Sequence, residues 1–477
     1  MSSAGGTEAS GGAPQVNSSG PQINGIQWAD TSGKLIQAHG GGMLKVGEDY
    51  YWFGENRNPD GTFLAVSAYR SRDLKNFEFV HDVLKMTSDP GLSPANVERP
   101  KVVYNASTKK FVMWMHWENG RDYGEARAAV ATSDTVDGDY TYQGSFRPLA
   151  SSGVMDHGKP GYMSRDCTLY VDDDGKGYFL SAADENYDLN LYLLTPDYLG
   201  VAELSATLFP QGHREAPALF KREGTYFLVT SGATGWDPNQ AQFATSSSLA
   251  SGWSSLQNVG DGTTFSSQST YVLPVTGSSG TEYLYLGDRW AGAYDGRVND
   301  SQYVWLPITF SAANKMSLSY ASALDIDTGR GEVRGNSRPF RFKNKLSGLF
   351  LDTDNGSGDK SAKVVQSEES STRAQAWSLD YNGSGHFEIK NDKSSQVIDV
   401  PNESTESGIE LTLWDSVGGA HQGYRVVDLG GGSYQIRNQK SGHLLSVAMA
   451  SEAPGAAIEQ ATAGGGDEQI WEISYAD

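Results

Sequence analysis

One signature recurs three times at the end of the chain, always at the same step. Gln375-Ala-Trp377, Gln422-Gly-Tyr424 and Gln469-Ile-Trp471 stand 47 residues apart, and two further markers keep that phase. These are Lys343-Asn344, Lys390-Asn391 and Arg437-Asn438, and Leu351-Asp352, Ile398-Asp399 and Leu445-Ser446. A unit of 47 residues with short alternating strands cannot bury its own apolar face. Three equal units are therefore expected to close around a pseudo-threefold axis, with the Gln-x-Trp residues at equivalent core positions.

The preceding part repeats more loosely. Tight turns and aromatic strands alternate in "GEDYYWFGE", "TKKFVMWMHW", "GKGYFLSAA", "EGTYFLVTSG" and "GTEYLYLGDRW". Their reference residues Trp52, Trp114, Phe179, Leu228 and Tyr285 are 62, 65, 49 and 57 residues apart. Such spacings match propeller blades of about four antiparallel strands, and helix-period stretches are nearly absent. The fold class expected is all-β, a five-bladed β-propeller over 23–327 followed by a β-trefoil over 337–477. Residues 328–336 read as a linker, and 1–22 as a Gly/Ser/Ala-rich leader or cloning remnant without the apolar core of a signal peptide.

Composition narrows the classes of function. The net charge of −21 over 477 residues argues against nucleic acid or an anionic membrane as partner. Aromatic residues make up 11% of the chain, which suits an aromatic-lined site for a neutral polymer. The single cysteine, Cys167, excludes an intrachain disulfide. "DDDG" at Asp172 and "DTDNGSGD" at Asp352 lack the terminal Glu of a twelve-residue calcium loop, so no metal and no cofactor is expected. A monomer is expected, with an extracellular location from which the signal has been removed.

Candidate acids of a propeller site come from different blades and so lie far apart in sequence. Four segments qualify: Glu55 in "GEN", Glu98 in "VERPK", Asp166 in "SRDCTLYVDDDGKGYF" and Glu215 in "HREAPALFKREGTYFLV". Glycosidic cleavage needs a proton donor for the departing oxygen. An ordinary Glu is ionised at neutral pH, so burial and a nearby carboxylate must hold it protonated. Glu215 with Asp166 can form that pair. The plain alternative pairs each with its neighbouring Arg, but neighbours along a strand face opposite ways.

These segments, with "IQAHGGGMLKVGEDYYWFGE", "SSQSTYVLP" and "YLGDRW", resemble glycoside hydrolase family 43, and within it the exo-β-1,3-galactanase branch. The resemblance implies an inverting enzyme that removes galactose from the non-reducing end of β-1,3-galactan, as in arabinogalactan-protein, and bypasses β-1,6 side chains. It makes Glu215 the acid and Asp166 the group that orients it and raises its pKa. The family's usual base aspartate, in Ala-Asp-Pro, is absent: Ala38 is followed by His39 and Gly40. In this branch the role is ascribed to a glutamine, which falls on Gln268. It would act as the imidic-acid tautomer, or hold the water while a carboxylate takes the proton, with Glu98 the nearest by motif. The alternative is a simple hydrogen bond from Gln268 to substrate.

The same resemblance assigns Glu55, Tyr123, Asp184 or Asn186, Thr234 and Trp236 to sugar hydroxyls and faces. The C-terminal part resembles a ricin-type β-trefoil, carbohydrate-binding module family 13. Its second lobe has all the expected sugar-binding residues, Asp399, Trp414, His421 and Gln422. The first keeps Asp352 and Gln375 but has Ser367 for the aromatic, and the third has Ser446 and Ala461. Two other readings stay open: another family 43 activity such as α-L-arabinofuranosidase or β-xylosidase, and a non-catalytic galactan-binding, lectin-like protein.

Overall fold

The computed structural model describes residues 20–476. Residues 1–19 of the expected leader lie outside them, while Gln22 already belongs to a strand, Gln22–Ile23.

The larger part is corrected from five blades to six, with a small two-stranded hairpin of Met155–Asp156 and Lys159–Pro160 beside them. Four-stranded antiparallel sheets span 39–85, 96–146, 167–208, 214–258 and 268–318. A sixth, three-stranded sheet joins Gln22–Ile23 to Ala323–Asp327 and Glu332–Asn336. One of its strands comes from the start of the chain, far from the hairpin of the other two, and none carries a repeat marker, so the spacing of aromatic strands could not reveal it. Part of the expected linker is thus structured. Glu332–Asn336 packs against the sheet of 268–318.

Strand sequences are buried on both faces because sheet packs on sheet. In Asp49–Arg57 the run Tyr50 to Glu55 is wholly buried, and Trp28, Trp52, Tyr303 and Trp305 interlock with centroids 4.7–6.3 Å apart. The first strands of the four-stranded sheets lie side by side around a central channel. Four of them carry a bulge at the same end, between His39 and Gly42, Glu98 and Lys101, Glu215 and Ala218, and Ser269 and Tyr271. A bulge re-aims a side chain where pairing breaks, which is why functional residues gather at that rim.

The C-terminal part is a barrel of short strands consistent with a trefoil, and its threefold phase holds at atomic level. Gln375, Gln422 and Gln469 each accept a backbone N–H at 2.8 Å, from Ser370, Val417 and Gly464. Trp377, Tyr424 and Trp471 are buried, as the Gln-x-Trp phase implies. The two parts share one apolar cluster from Ile23 to Ile473. Arg289 locks the join: its guanidinium stacks 3.6 Å from the Tyr381 ring centroid and donates to Gly25 O at 3.0 Å.

Candidate active site

At the bulged rim a cavity of about 270 Å³ is lined by four carboxylates, Glu55, Glu98, Asp166 and Glu215. Each comes from a different sheet, on the strand Asp49–Arg57, on Asn96–Asn105, just before Cys167–Val171 and on Arg214–Arg222. That volume is near the lower end of ligand pockets, about 300 Å³, and suits one sugar ring rather than a run of them.

Glu215 is buried and hydrogen-bonded by two amides. Gln268 Nε2 donates to its Oε1 at 3.0 Å and Asn186 Nδ2 to its Oε2 at 3.1 Å. Burial first, and the Asp166 charge second, push its pKa up to about 8. It therefore carries a proton at neutral pH. Asp166 is held by Arg99 Nε at 3.0 Å and by the Ala216 N–H at 3.1 Å. The bulge frees that N–H: Ala216 sits at φ 51° and leaves the ladder. Arg99, also left-handed at φ 55°, reaches Gln268 Oε1 and the Ser269 carbonyl.

Gln268 has no idle hydrogen-bonding capacity. Its Nε2 donates to Glu215 and, at 2.8 Å, to Ser231 Oγ; its Oε1 accepts from Arg99 Nη2 and, at 2.7 Å, from Trp290 Nε1. Indole and guanidinium only donate, so the oxygen of the amide must face them.

Glu98 is a fixed anion. Arg57 at 2.7 Å and the Tyr123 hydroxyl at 2.6 Å donate to Oε1, and His116 Nδ1 at 3.2 Å to Oε2. Although burial opposes it, the Arg57 charge and the His116 bond hold its pKa far below the usual carboxylate range. His116 donates its other nitrogen to Glu118 at 2.8 Å, and despite burial these bonds raise it to about 9. Three donors and a lowered pKa make Glu98 a weak proton acceptor. Glu55, 1% exposed, takes both Arg57 Nε at 2.8 Å and Nη2 at 2.6 Å on Oε2, and burial raises its pKa.

Two groups of potential metal ligands come within 4.8 Å among the described residues: Glu98, His116 and Asp166, and Asp156, His157 and Asp184. In the first, both nitrogens of His116 already face carboxylates, which leaves no lone pair for an ion.

Of the sugar-contacting residues expected from sequence, Glu55, Tyr123, Asn186 and Trp236 line the cavity. Trp236 is 43% exposed and meets Trp290 edge-on at 5.6 Å, leaving an indole face for a sugar. Asp184 and Thr234 do not line the cavity. Asp184 turns to His157 at 2.9 Å and Gln211 at 3.0 Å, and Thr234 ties its own loop through Asp237 O at 2.6 Å. The reading did not single out Arg57, Arg99, His116 and Trp290, although Arg99 lies in "ERPK" and Trp290 ends "YLGDRW".

In the second trefoil lobe Gln422 Nε2 donates to Asp399 Oδ1 at 2.8 Å, and His421 Nε2 lies 3.2 Å from the same oxygen. Trp414 is 38% exposed, so it is no core residue, and Lys360 Nζ stands 5.0 Å above its ring. The first lobe repeats the pair, Gln375 to Asp352 at 2.9 Å, without the platform.

The signature described as glycosyl hydrolases family 43 matches residues 39–272, and that of the ricin-type β-trefoil lectin-like domain matches 330–414 and 417–477. Among solved structures, an exo-β-1,3-galactanase from Clostridium thermocellum is 52% identical, with 95% of this chain and 99% of that one covered and a TM-score of 0.66. An exo-β-1,3-galactanase from Phanerochaete chrysosporium, solved with β-1,3-galactotriose, is 26% identical over 94% and 99% of the two chains, with a TM-score of 0.62. A search of curated proteins finds no match.

Proposed function

The chain belongs to the glycosyl hydrolases of family 43, and from that premise we propose that it is an inverting exo-β-1,3-galactanase. The observation that carries the reading is the buried Glu215 beside Asp166, its pKa raised by burial and by that charge, in a cavity sized for one sugar. The two full-length likenesses, described as exo-β-1,3-galactanases, supply the substrate class.

In this reading the terminal galactose enters the cavity with an apolar face against Trp236. Glu215 gives its proton to the departing glycosidic oxygen while water attacks the anomeric carbon from the opposite face. Asp166 keeps Glu215 protonated between turnovers, and Gln268 and Asn186 fix the direction of its carboxyl. Glu98, anchored by Arg57 and His116, offers a permanent negative charge to the developing oxocarbenium ion. The second trefoil lobe holds the galactan while the propeller trims it. Arabinogalactan-protein side chains are the natural setting, outside the cell.

Digestion of β-1,3-galactan bearing β-1,6 branches checks this. Free galactose and galactose still carrying its branch are the expected products. Internal fragments from galactan, or arabinose release with galactan untouched, would overturn it.

A further inference from the structure

We propose that Tyr381, a residue of the trefoil, is a positioning residue for the propeller's site, holding Gln268 in place through the guanidinium of Arg289. The proposal rests on the reading of the site as a galactan-cleaving glycosidase, in which Gln268 bonds the carboxyl of the acid.

Gln268 is delivered by an unfavourable stretch of backbone. Thr264, Phe265 and Ser266 are left-handed in succession, at φ 52°, 56° and 55°. Residues with a Cβ rarely adopt that conformation, least of all a branched one such as Thr. Such a run persists only where its surroundings hold it. Its N–H side is held within the loop: Phe265 N–H goes to Asp261 Oδ1 at 2.7 Å and Ser266 N–H to Thr263 Oγ1 at 3.1 Å. Its carbonyl side is held from outside by Arg289, whose Nη2 donates to Phe265 O and Nε to Ser266 O, both at 3.3 Å. The next residue, Trp290, gives its indole N–H to Gln268 Oε1 at 2.7 Å. Arg289 and Trp290 thus clamp Gln268 by backbone and by side chain.

What orients Arg289 belongs to the trefoil. Its guanidinium lies 3.6 Å from the centroid of the Tyr381 ring, while Nη1 bonds Gly25 O at 3.0 Å and Gln302 Oε1 at 3.2 Å. A guanidinium stacked on a ring keeps its in-plane N–H groups aimed at acceptors around its edge. The ring therefore sets the plane from which Arg289 reaches the loop. The turn that follows Tyr381 is itself seated on the propeller. Gln302 Nε2 donates to Gly385 O at 2.9 Å, and a Cβ at Gly385 would lie 2.7 Å from the Tyr294 ring. Tyr381, Arg289, Ser266 and Gln268 line one cavity of about 90 Å³, so loss of the ring widens a space that Arg289 can enter. The trefoil is then part of the catalytic geometry as well as an anchor for galactan.

The test is steady-state kinetics on β-1,3-galactobiose with wild type, Tyr381→Ala, Tyr381→Leu, Tyr381→Phe and Asp428→Ala. Asp428 is the control: its Oδ2 takes the Ala29 N–H at 3.0 Å across the same join and bonds neither Arg289 nor the loop. Tyr381→Ala is expected to lose about 10- to 100-fold in kcat with KM within about threefold, because the acid is misdirected while the sugar-binding face remains. Tyr381→Leu fills most of the space, guards against misfolding and should show the same loss. Tyr381→Phe keeps the ring and Asp428→Ala keeps the clamp, so both should stay within about twofold of wild type in kcat. Wild-type kcat in Tyr381→Leu, or an equal loss in Tyr381→Phe or Asp428→Ala, overturns the proposal. A wild type that releases no galactose would instead sink the reading it rests on.

Discussion

Asp166 and Glu215 show how two carboxylates can take opposite roles. Asp166 meets a guanidinium and a backbone N–H, whereas Glu215 meets only amides and is buried beside that anion. A group with its pKa raised to about 8 is a competent acid below that pH and an inert anion above it. Activity, read as kcat/KM, should therefore fall as pH rises through about 8. Asp166→Asn removes a charge that raises Glu215 and leaves Arg99 free to stabilise its anion. The alkaline limb of the profile should move to lower pH; an unmoved limb would separate Asp166 from the acid. The sequence pattern made this pair legible because each residue sits in a distinctive strand-and-hairpin segment. It could not show that Asp184 and Thr234 turn away, because three successive left-handed residues from Asp184 to Asn186, and the loop's own hydrogen bonds, decide which side chains face inward.

At the scale of elements, bulges do much of the positioning. They rotate the strand ends at Glu98, Glu215 and Ser269 and free backbone donors to hold carboxylates. Motif spacing hides them, since one extra residue in a strand leaves no compositional mark. The sixth sheet escaped for a related reason: its strands are short, and one of them joins a hairpin from across the whole propeller. Its neighbour, the join around Arg289, makes a checkable claim. Tyr381→Ala removes the ring stacked on a buried guanidinium and should cost about 2 kcal/mol. Tyr381→Phe keeps the ring and should cost well under half as much. Thermal unfolding by calorimetry compares them, and equal midpoints for the two variants would discount the stack.

On the scale of the whole molecule, the trefoil was the most legible part, because a strict 47-residue step maps onto equal hydrogen bonds at Gln375, Gln422 and Gln469. Its chemistry is uneven where its framework is even, since only the second lobe joins Asp399 and Gln422 to an exposed Trp414. Trp414→Ala should abolish retention on insoluble galactan and leave hydrolysis of galactobiose unchanged. Retention that survives would move the sugar site to another lobe. A smaller cavity of about 90 Å³ behind Trp236 and Trp290 is lined by Gln268 of the propeller and Tyr381 of the trefoil, so the two parts meet next to the chemistry.

The central claim is direct displacement by water, with acid and base on opposite faces of one galactose. Proton NMR of the first minutes of β-1,3-galactobiose hydrolysis tests it most directly. The account predicts that α-galactose appears first from the non-reducing unit and only later mutarotates. Initial release of β-galactose would mean retention and a covalent intermediate, and would contradict it.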